Sequence, residues 1–498
     1  MRLADRPSRP RPTLDRRHHH RRGVCAVRAP GRGGRRHHQR GPGRRGGGDR
    51  RRRAPRLVRH RRRDRPGRRA RPRGRCADVR GGGLRRLDRR AGRGLLGAGG
   101  GRGAPAGHAA VARARLRVHP HLDRLRDPDP VRPPVTFLLA DATGTGGLAR
   151  AVIGTANRLG RHRPTRLAGL VHRGGAQGYT VDVPHEVVHT ERRWSRQRGP
   201  SQLVPEDGLL SAESDRALRR WLGRLPPGIL VTTRPSLHLA AATWAPPHVR
   251  LVGWDHKNFL TRYASGWLGD VLDRAVPATS AWVVLTHADA VDYRERLAPA
   301  RVEVIRNALS WPPAEEPAPL EAPVLVAAGR LAKVKGFGRL VDAFAPVAAK
   351  HPDWQLLVHG EGERREAIQR RVDRLGLSDR VRLPGYTTDL RAALRGASAF
   401  AMTSRAEGFP MVLLEAMSQG LPLVAMDCPR GPGEIVDDGR NGLLLPDGDV
   451  DGFSRALLAL VEDAGLRRRL GDRAWRDARR YEPAIVTAQW LDLLDSLS

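Results

Sequence analysis

Neither lysine nor glutamate occurs among the first 130 residues, and Ile, Phe, Tyr, Trp and Asn are missing there as well. Without large apolar side chains, stretches such as RRGGGDRRRRAPRLVRHRRRDRPGRRARPRGR (44–75) cannot bury enough surface to offset chain entropy. Residues 1–130 are therefore expected to form a disordered Arg/Gly/Pro-rich segment. Cysteine is scarce: Cys25, Cys76 and Cys428 form no CxxC pair, which excludes a disulfide framework or a thiolate metal cluster. The three histidines at 18–20 have no partners at ligand spacing and read as low complexity. No apolar run reaches the roughly 18 residues that a membrane-spanning helix needs. The first residues show no apolar signal-peptide core, so the expected location is cytoplasmic.

The net charge of +40 suggests a nucleic-acid binder, but it is unevenly spread. Residues 1–130 hold 42 of the 91 basic residues, all Arg, against nine Asp, whereas residues 131–498 carry a net of only +7. Two readings of the basic segment compete. One is an arm that binds nucleic acid or an anionic membrane. The other is a mis-assigned start or a frameshift in GC-rich DNA, because Lys, Asn, Ile, Phe and Tyr all use AT-rich codons. A nucleic-acid arm would interleave lysines and stacking aromatics, so the second reading is preferred. No nucleic acid is expected to bind residues 131–498.

From Val135 the texture changes to short apolar runs alternating with amphipathic ones. VTFLLA (135–140), RLAGLVH (166–172), GILVTT (228–233), VRLVGW (249–254), AWVVLT (281–286) and VEVI (302–305) read as buried strands. After the glycine loop DATGTGG, a helix over 148–162 puts Leu148, Val152, Ala156 and Leu159 on one face. SWPPAEEPAPLEAP (310–323) is aperiodic and reads as a linker. Beyond it VLVAAG, WQLLVHG, VRLPG, AFAMTS and LPLVAMD resume the strand texture, with helices between. The pattern predicts an α/β protein of two doubly wound, Rossmann-like units facing a cleft. Expected boundaries are 131–310, a linker at 311–323, 324–480, and a terminal helix at 481–498 that packs back across the junction.

RAEGFPMVLLEAMSQGLP (405–422) carries two glutamates, Glu407 before a helix and Glu415 inside it. Pro410 suits the first helical turn and Gly420 a left-handed end, which places the helix at about 410–419. Its N-terminus is an anion site at a strand's carboxyl end. With Met411 and Glu415 on one face, Glu415 is expected to look into the cleft. Carboxylates accept hydrogen bonds from sugar hydroxyls, so the arrangement suits a sugar nucleotide. GRLAKVKGFGRL (329–340) adds Arg330 and Lys335, two cations able to neutralise a diphosphate without a metal. DVD (449–451) and DPD (127–129) fit a metal-binding DxD only by spacing.

Residues 131–498 resemble the retaining glycosyltransferases of GT-B fold numbered four in the sequence classification, known as glycosyl transferases group 1. Glu407 and Glu415 match the family's E-x7-E element, and Arg330, Lys335 and Gly336 its R-x4-K-G element. DCPRGPGEIVDDGRNGLLLP (427–446) is similar to the end of the donor domain in the subgroup that builds bacterial surface glycans and teichoic acids. The resemblance implies that Arg330 and Lys335 hold the donor diphosphate and that Glu415 binds the ribose. It implies that Glu407 contacts the donor sugar, helped by the backbone N–H groups of Gly408 and Phe409. Gly146 and Gly147 would admit a phosphate or the acceptor. GWDHKNF (253–259) resembles the stretch with a histidine at the reacting sugar, which makes His256 a catalytic candidate alongside Glu407, Arg330 and Lys335.

The partners so implied are a nucleotide-diphosphate sugar, most often a UDP-sugar, and a glycan, polyol-phosphate or lipid-linked acceptor, with peripheral contact at the inner membrane face. No cofactor and no metal are expected. Arg306, where the family has Pro, and Asp255, where a Glu is common, depart from the pattern toward the acceptor side. A sugar-nucleotide epimerase of the same fold and a nucleic-acid binder acting through the basic segment are the alternatives. A phosphorylase would need a pyridoxal lysine, for which there is no signature.

Overall fold

The computed structural model describes residues 132–144, 146–171, 178–189, 199–298 and 300–498. The basic segment, with its expected disorder, its histidine run, Cys25, Cys76 and DPD, lies outside them.

Seven parallel strands form a first sheet: β1 (Val135–Asp141), β2 (Thr165–Val171), β3 (His185–His189), β4 (Gly228–Thr232), β5 (Val249–Trp254), β6 (Ala281–Val284) and β7 (Val302–Val304), in the order 3-2-1-4-5-6-7. Six parallel strands form a second: β8 (Val324–Ala328), β9 (Gln355–His359), β10 (Val381–Gly385), β11 (Ala399–Met402), β12 (Leu423–Asp427) and β13 (Gly442–Pro446), in the order 10-9-8-11-12-13. Each sheet thus reverses direction beside its first strand, at β1/β4 and at β8/β11. Helices cover both faces, so the strands need apolar residues on both sides instead of strict alternation. β1 shows why: Phe137 and Leu139 enter one core and Leu138 the opposite one, all fully buried.

The structure differs from expectation at several points. The first helix is Gly147–Leu159, and Leu148, in its opening turn, is 38% exposed while Val152, Ala156 and Leu159 are buried. The helix after β11 is Met411–Ser418, and Pro410 caps it in an extended conformation instead of joining its first turn. Gly420 does take a left-handed φ of 78° after its end. β3 and β13, each at one edge of its sheet, have no counterpart among the expected strands. The linker is a packed strap: Ala314, Ala318 and Leu320 are buried, and the Ala314 and Ala318 N–H groups donate to the carbonyls of Ser418 (2.8 Å) and Gln419 (2.7 Å).

The last helix, Pro483–Asp495, follows the second sheet in sequence but packs on the first. Trp490 is fully buried, with its ring 6.2 Å from Phe137 and 4.7 Å from Trp254. Arg163 pairs with Asp495 at 3.1 Å and Arg158 donates to Thr487 at 3.2 Å. Trp490→Ala is expected to destabilise this layer by about 3–5 kcal/mol, the usual cost of emptying a buried aromatic site. A lowered urea midpoint by tryptophan-independent circular dichroism checks it.

Candidate active site

In open α/β sheets, ligands bind beyond the carboxyl ends of the strands, where strand order reverses. In the second sheet that place is framed by the loops after β8 and β11. The first loop turns back at Gly336, with φ of 68°, and a Cβ there would stand 2.1 Å from the Thr403 carbonyl oxygen. Only glycine lets the two loops touch. Their contact sets Lys335 Nζ 2.6 Å from Glu407 Oε1. Arg330, at the mouth of the same loop, is exposed and makes no ion pair among the described residues. The two sequence elements therefore converge as expected.

The loop after β5 meets this pair from the first sheet. Its root is Asp255, fully buried, which accepts hydrogen bonds from Arg262 Nε (3.0 Å) and Tyr293 Oη (2.9 Å). Burial pushes the Asp255 carboxyl up, but the charge and hydrogen bonds of Arg262 outweigh it and hold the group below the usual carboxylate range. Next in the chain, the His256 ring lies 4.3 Å from that of Trp254, and its Nε2 is buried with no hydrogen-bond partner. Burial lowers the His256 pKa to about 3, with Asp255 opposing and Arg262 assisting. It is a neutral imidazole. The side chain of Asn258 donates to the backbone carbonyl of Glu407 at 2.5 Å. A Cβ on Gly408 would stand 2.3 Å from the His256 carbonyl oxygen. The two loops are in backbone contact.

Glu415 departs from expectation. It is 1% exposed and lies in the seam between the sheets, where Arg150 Nη2 (2.5 Å) and Ser310 Oγ (2.8 Å) both address Oε1. Burial raises its pKa, against the opposing effects of Arg150 and Ser310. Arg150 stands one turn into the helix that Gly147 opens, so the glycine loop reaches Glu415 through it. At Gly146 and Gly147 a Cβ would meet nothing within 4 Å, so protein packing leaves that face open. The Phe409 ring belongs to the core, 5.9 Å from that of Tyr481. Only its backbone can serve a ligand.

Several cross-sheet contacts had no signal in the sequence. Arg150, Ser310 and Asn258 are such cases, since no motif spacing links residues 100 or more positions apart. Arg306 pairs with Glu434 at 3.0 Å, and Glu434 also accepts from the Ala288 N–H at 3.1 Å. Arg430, at a left-handed φ of 68°, binds Asp289 at 3.2 Å and Asp292. Asp449 of DVD accepts from the Gly452 N–H at 2.7 Å and serves as a helix cap. No group of three His, Cys, Asp or Glu side chains that could hold a metal occurs among the described residues. No helix among them is long and apolar enough to cross a membrane.

Comparison with known proteins places this geometry. Residues 313–477 match the family model described as glycosyl transferases group 1. The lipopolysaccharide core biosynthesis glycosyltransferase LpsD of Rhizobium meliloti is 32% identical over 346 residues, 65% of this chain and 95% of that protein. An exopolysaccharide phosphotransferase of Streptomyces coelicolor is 30% identical over 387 residues, 73% of this chain, although the chain spans only 41% of that relative's length. Among solved structures, TarM aligns with a TM-score of 0.63 at 14% identity, covering 73% of this chain and 99% of TarM. HepE of Anabaena, solved with UDP and glucose, aligns with a TM-score of 0.60 at 20% identity, covering 73% and 100%. The two-sheet architecture is the GT-B fold, and the chain belongs to the glycosyl transferases group 1 family.

Proposed function

We propose that the protein transfers a sugar from a nucleotide diphosphate, a UDP-sugar, to a hydroxyl of a glycan, polyol-phosphate or lipid-linked acceptor during assembly of a cell-surface polysaccharide. The observation that carries this reading is the Lys335–Glu407 pair beside unpaired Arg330, at the strand-order reversal and against the His256 loop. Its support among relatives is the role in the name of LpsD and the UDP and glucose bound to HepE.

The anomeric carbon's bond to the diphosphate breaks as the acceptor hydroxyl approaches from the same face. The configuration is retained, and the acceptor proton passes to the departing phosphate oxygen. Arg330 and Lys335 stabilise the negative charge that grows on the diphosphate, the service a divalent ion renders in other transferases. Glu407 holds Lys335 and contacts the sugar. Neutral His256 hydrogen-bonds the sugar without adding positive charge beside an oxocarbenium-like centre. Glu407 is not half of a glycosidase pair, because that chemistry needs two carboxyls flanking the scissile bond. Glu415 takes the ribose hydroxyls once the nucleotide displaces Arg150.

Calorimetry of the full chain against UDP, GDP and ADP tests the reading, together with NMR of the product anomer. UDP is expected to bind selectively, Glu415→Ala to weaken it at least about 10-fold, as loss of a hydrogen bond to a charged group does, and EDTA to leave turnover unchanged. Failure of all three nucleotides to bind overturns it. Consumption of UDP-sugar with no acceptor identifies an epimerase instead. Release of UMP in place of UDP identifies sugar-phosphate transfer, the activity in the Streptomyces relative's name.

A further inference from the structure

Lys257 and Arg330 stand at this cleft with no counter-charge among the described residues. Lys257, on the loop after β5, and Arg330, at the end of β8, make no ion pair and no side-chain hydrogen bond among the described residues. Several cations of the surrounding elements are paired: Lys335 with Glu407, Arg262 with Asp255, Arg234 with Asp207, Arg430 with Asp289, and Arg306 with Glu434. Lys257 and Arg330 belong to different sheets and border the same ion pair: Lys335 lies against Gly329, next to Arg330, and Glu407 precedes Gly408, which the Lys257 backbone contacts. Lys257 is not free to leave, because its backbone is fixed on both sides. Asp255 before it is the buried root of the loop, and Asn258 after it holds the Glu407 carbonyl. The Lys257 Cα lies 3.2 Å from where a Cβ on Gly408 would be. Its side chain is exposed at the rim, but the protein crowded around the loop still desolvates the ammonium and holds it below the usual lysine range, with the charges of Arg262, Arg234 and Arg330 adding and Asp255 opposing. Like charges held near one another repel, and an anion bound by both removes the cost.

We propose that Lys257 and Arg330 form a two-sided clamp for a phosphoryl group, with one cation supplied by each sheet. This inference rests on the glycosyl-transfer reading and adds a phosphate-binding residue from the acceptor-side sheet. The phosphoryl group has two sources, the donor's diphosphate or a phosphate carried by a polyol-phosphate acceptor. As a clamp on the donor, Lys257 ties closure of the cleft to the presence of the diphosphate. As a clamp on the acceptor, it selects phosphate-bearing acceptors over neutral glycans.

Lys257→Ala and Lys257→Arg in the full chain test it, with uridine, UDP and, on UDP-loaded protein, glycerol 3-phosphate as calorimetric probes. Lys257 is exposed, so the alanine variant should fold, and circular dichroism verifies that. For the donor source, Lys257→Ala weakens UDP about 10- to 100-fold, leaves uridine unchanged and flattens the salt dependence of UDP binding, while Lys257→Arg restores most of the affinity. For the acceptor source, UDP affinity is unchanged and glycerol 3-phosphate binding is lost. If the wild type binds UDP and the alanine variant matches it for both phosphate probes, the clamp is refuted while the transferase reading stands. If the wild type binds no nucleoside diphosphate, the transferase reading itself fails.

Discussion

Lys335→Ala is expected to lower kcat/KM for sugar transfer by about 100- to 1,000-fold, the range found when one preorganised charge-stabilising group is removed from an active site. The lysine stem crosses Gly329, whose added Cβ would lie 3.7 Å from Lys335 Cε, and the ammonium ends 2.6 Å from Glu407. It is thus aimed before any ligand arrives. The charge it serves is largest when the diphosphate departs, so kcat should fall more than KM rises. Lys335→Arg should rescue poorly, because a planar guanidinium does not fit a path shaped for a slim stem and a point charge. Glu407→Gln keeps the shape and breaks the ion pair, and it should reproduce much of the loss. In the double variant the losses should be far from additive, since the two side chains act as a unit. Steady-state kinetics of wild type and the four variants on one donor–acceptor pair decides it. An alanine variant within about threefold of wild type, well under that expected range, would remove Lys335 from the mechanism.

Gly408→Ala is expected to cost at least about 100-fold in turnover while moving nucleotide affinity under about tenfold, the signature of misplaced reactants. Its Cβ would meet the His256 carbonyl oxygen at 2.3 Å, the His256 carbonyl carbon at 3.1 Å and the Lys257 Cα at 3.2 Å. All three are backbone atoms, so no rotamer change relieves the clash. Nor can the opposing loop simply step back, because Asp255 at its root is held by Arg262 and Tyr293. The relief available is to part the two loops, which separates His256 from Glu407. Gly266→Ala makes the control: nothing lies within 4 Å of its added Cβ, and no ligand is assigned to it, so the folded chain should tolerate it. Nucleotide calorimetry and initial rates, measured side by side, separate the two glycines.

How much of this was legible in the sequence depends on chain distance. The strands were readable because both of their faces are buried and short apolar runs between glycines have few other uses. The Lys335–Glu407 pair was readable because each residue sits in its own local motif beside a strand end. Glu415 shows the boundary. Its helix was located nearly to the residue, but the i,i+4 argument gave it a face and not a neighbour. That neighbour, Arg150, comes from the other sheet. Arg306 was visible as an oddity where the family has proline, and its meaning is Glu434, 128 residues later. Phe409 was named for its backbone N–H alone, and its ring points into the core. Cross-sheet pairs obey no period, so only the folded chain reveals them.

The placement of the last helix bears on how the molecule is made. Trp490 completes a core that Phe137 and Trp254 begin. During synthesis those two rings emerge first and wait through the whole of the second sheet before their partner leaves the ribosome. Domains form as units from the N-terminus at roughly 5–20 residues per second. The second sheet, with its own local contacts, can therefore close before the first is finished. Until that helix emerges, the earlier half displays an unsealed aromatic face, where chaperones would bind and where a stalled or truncated chain would aggregate.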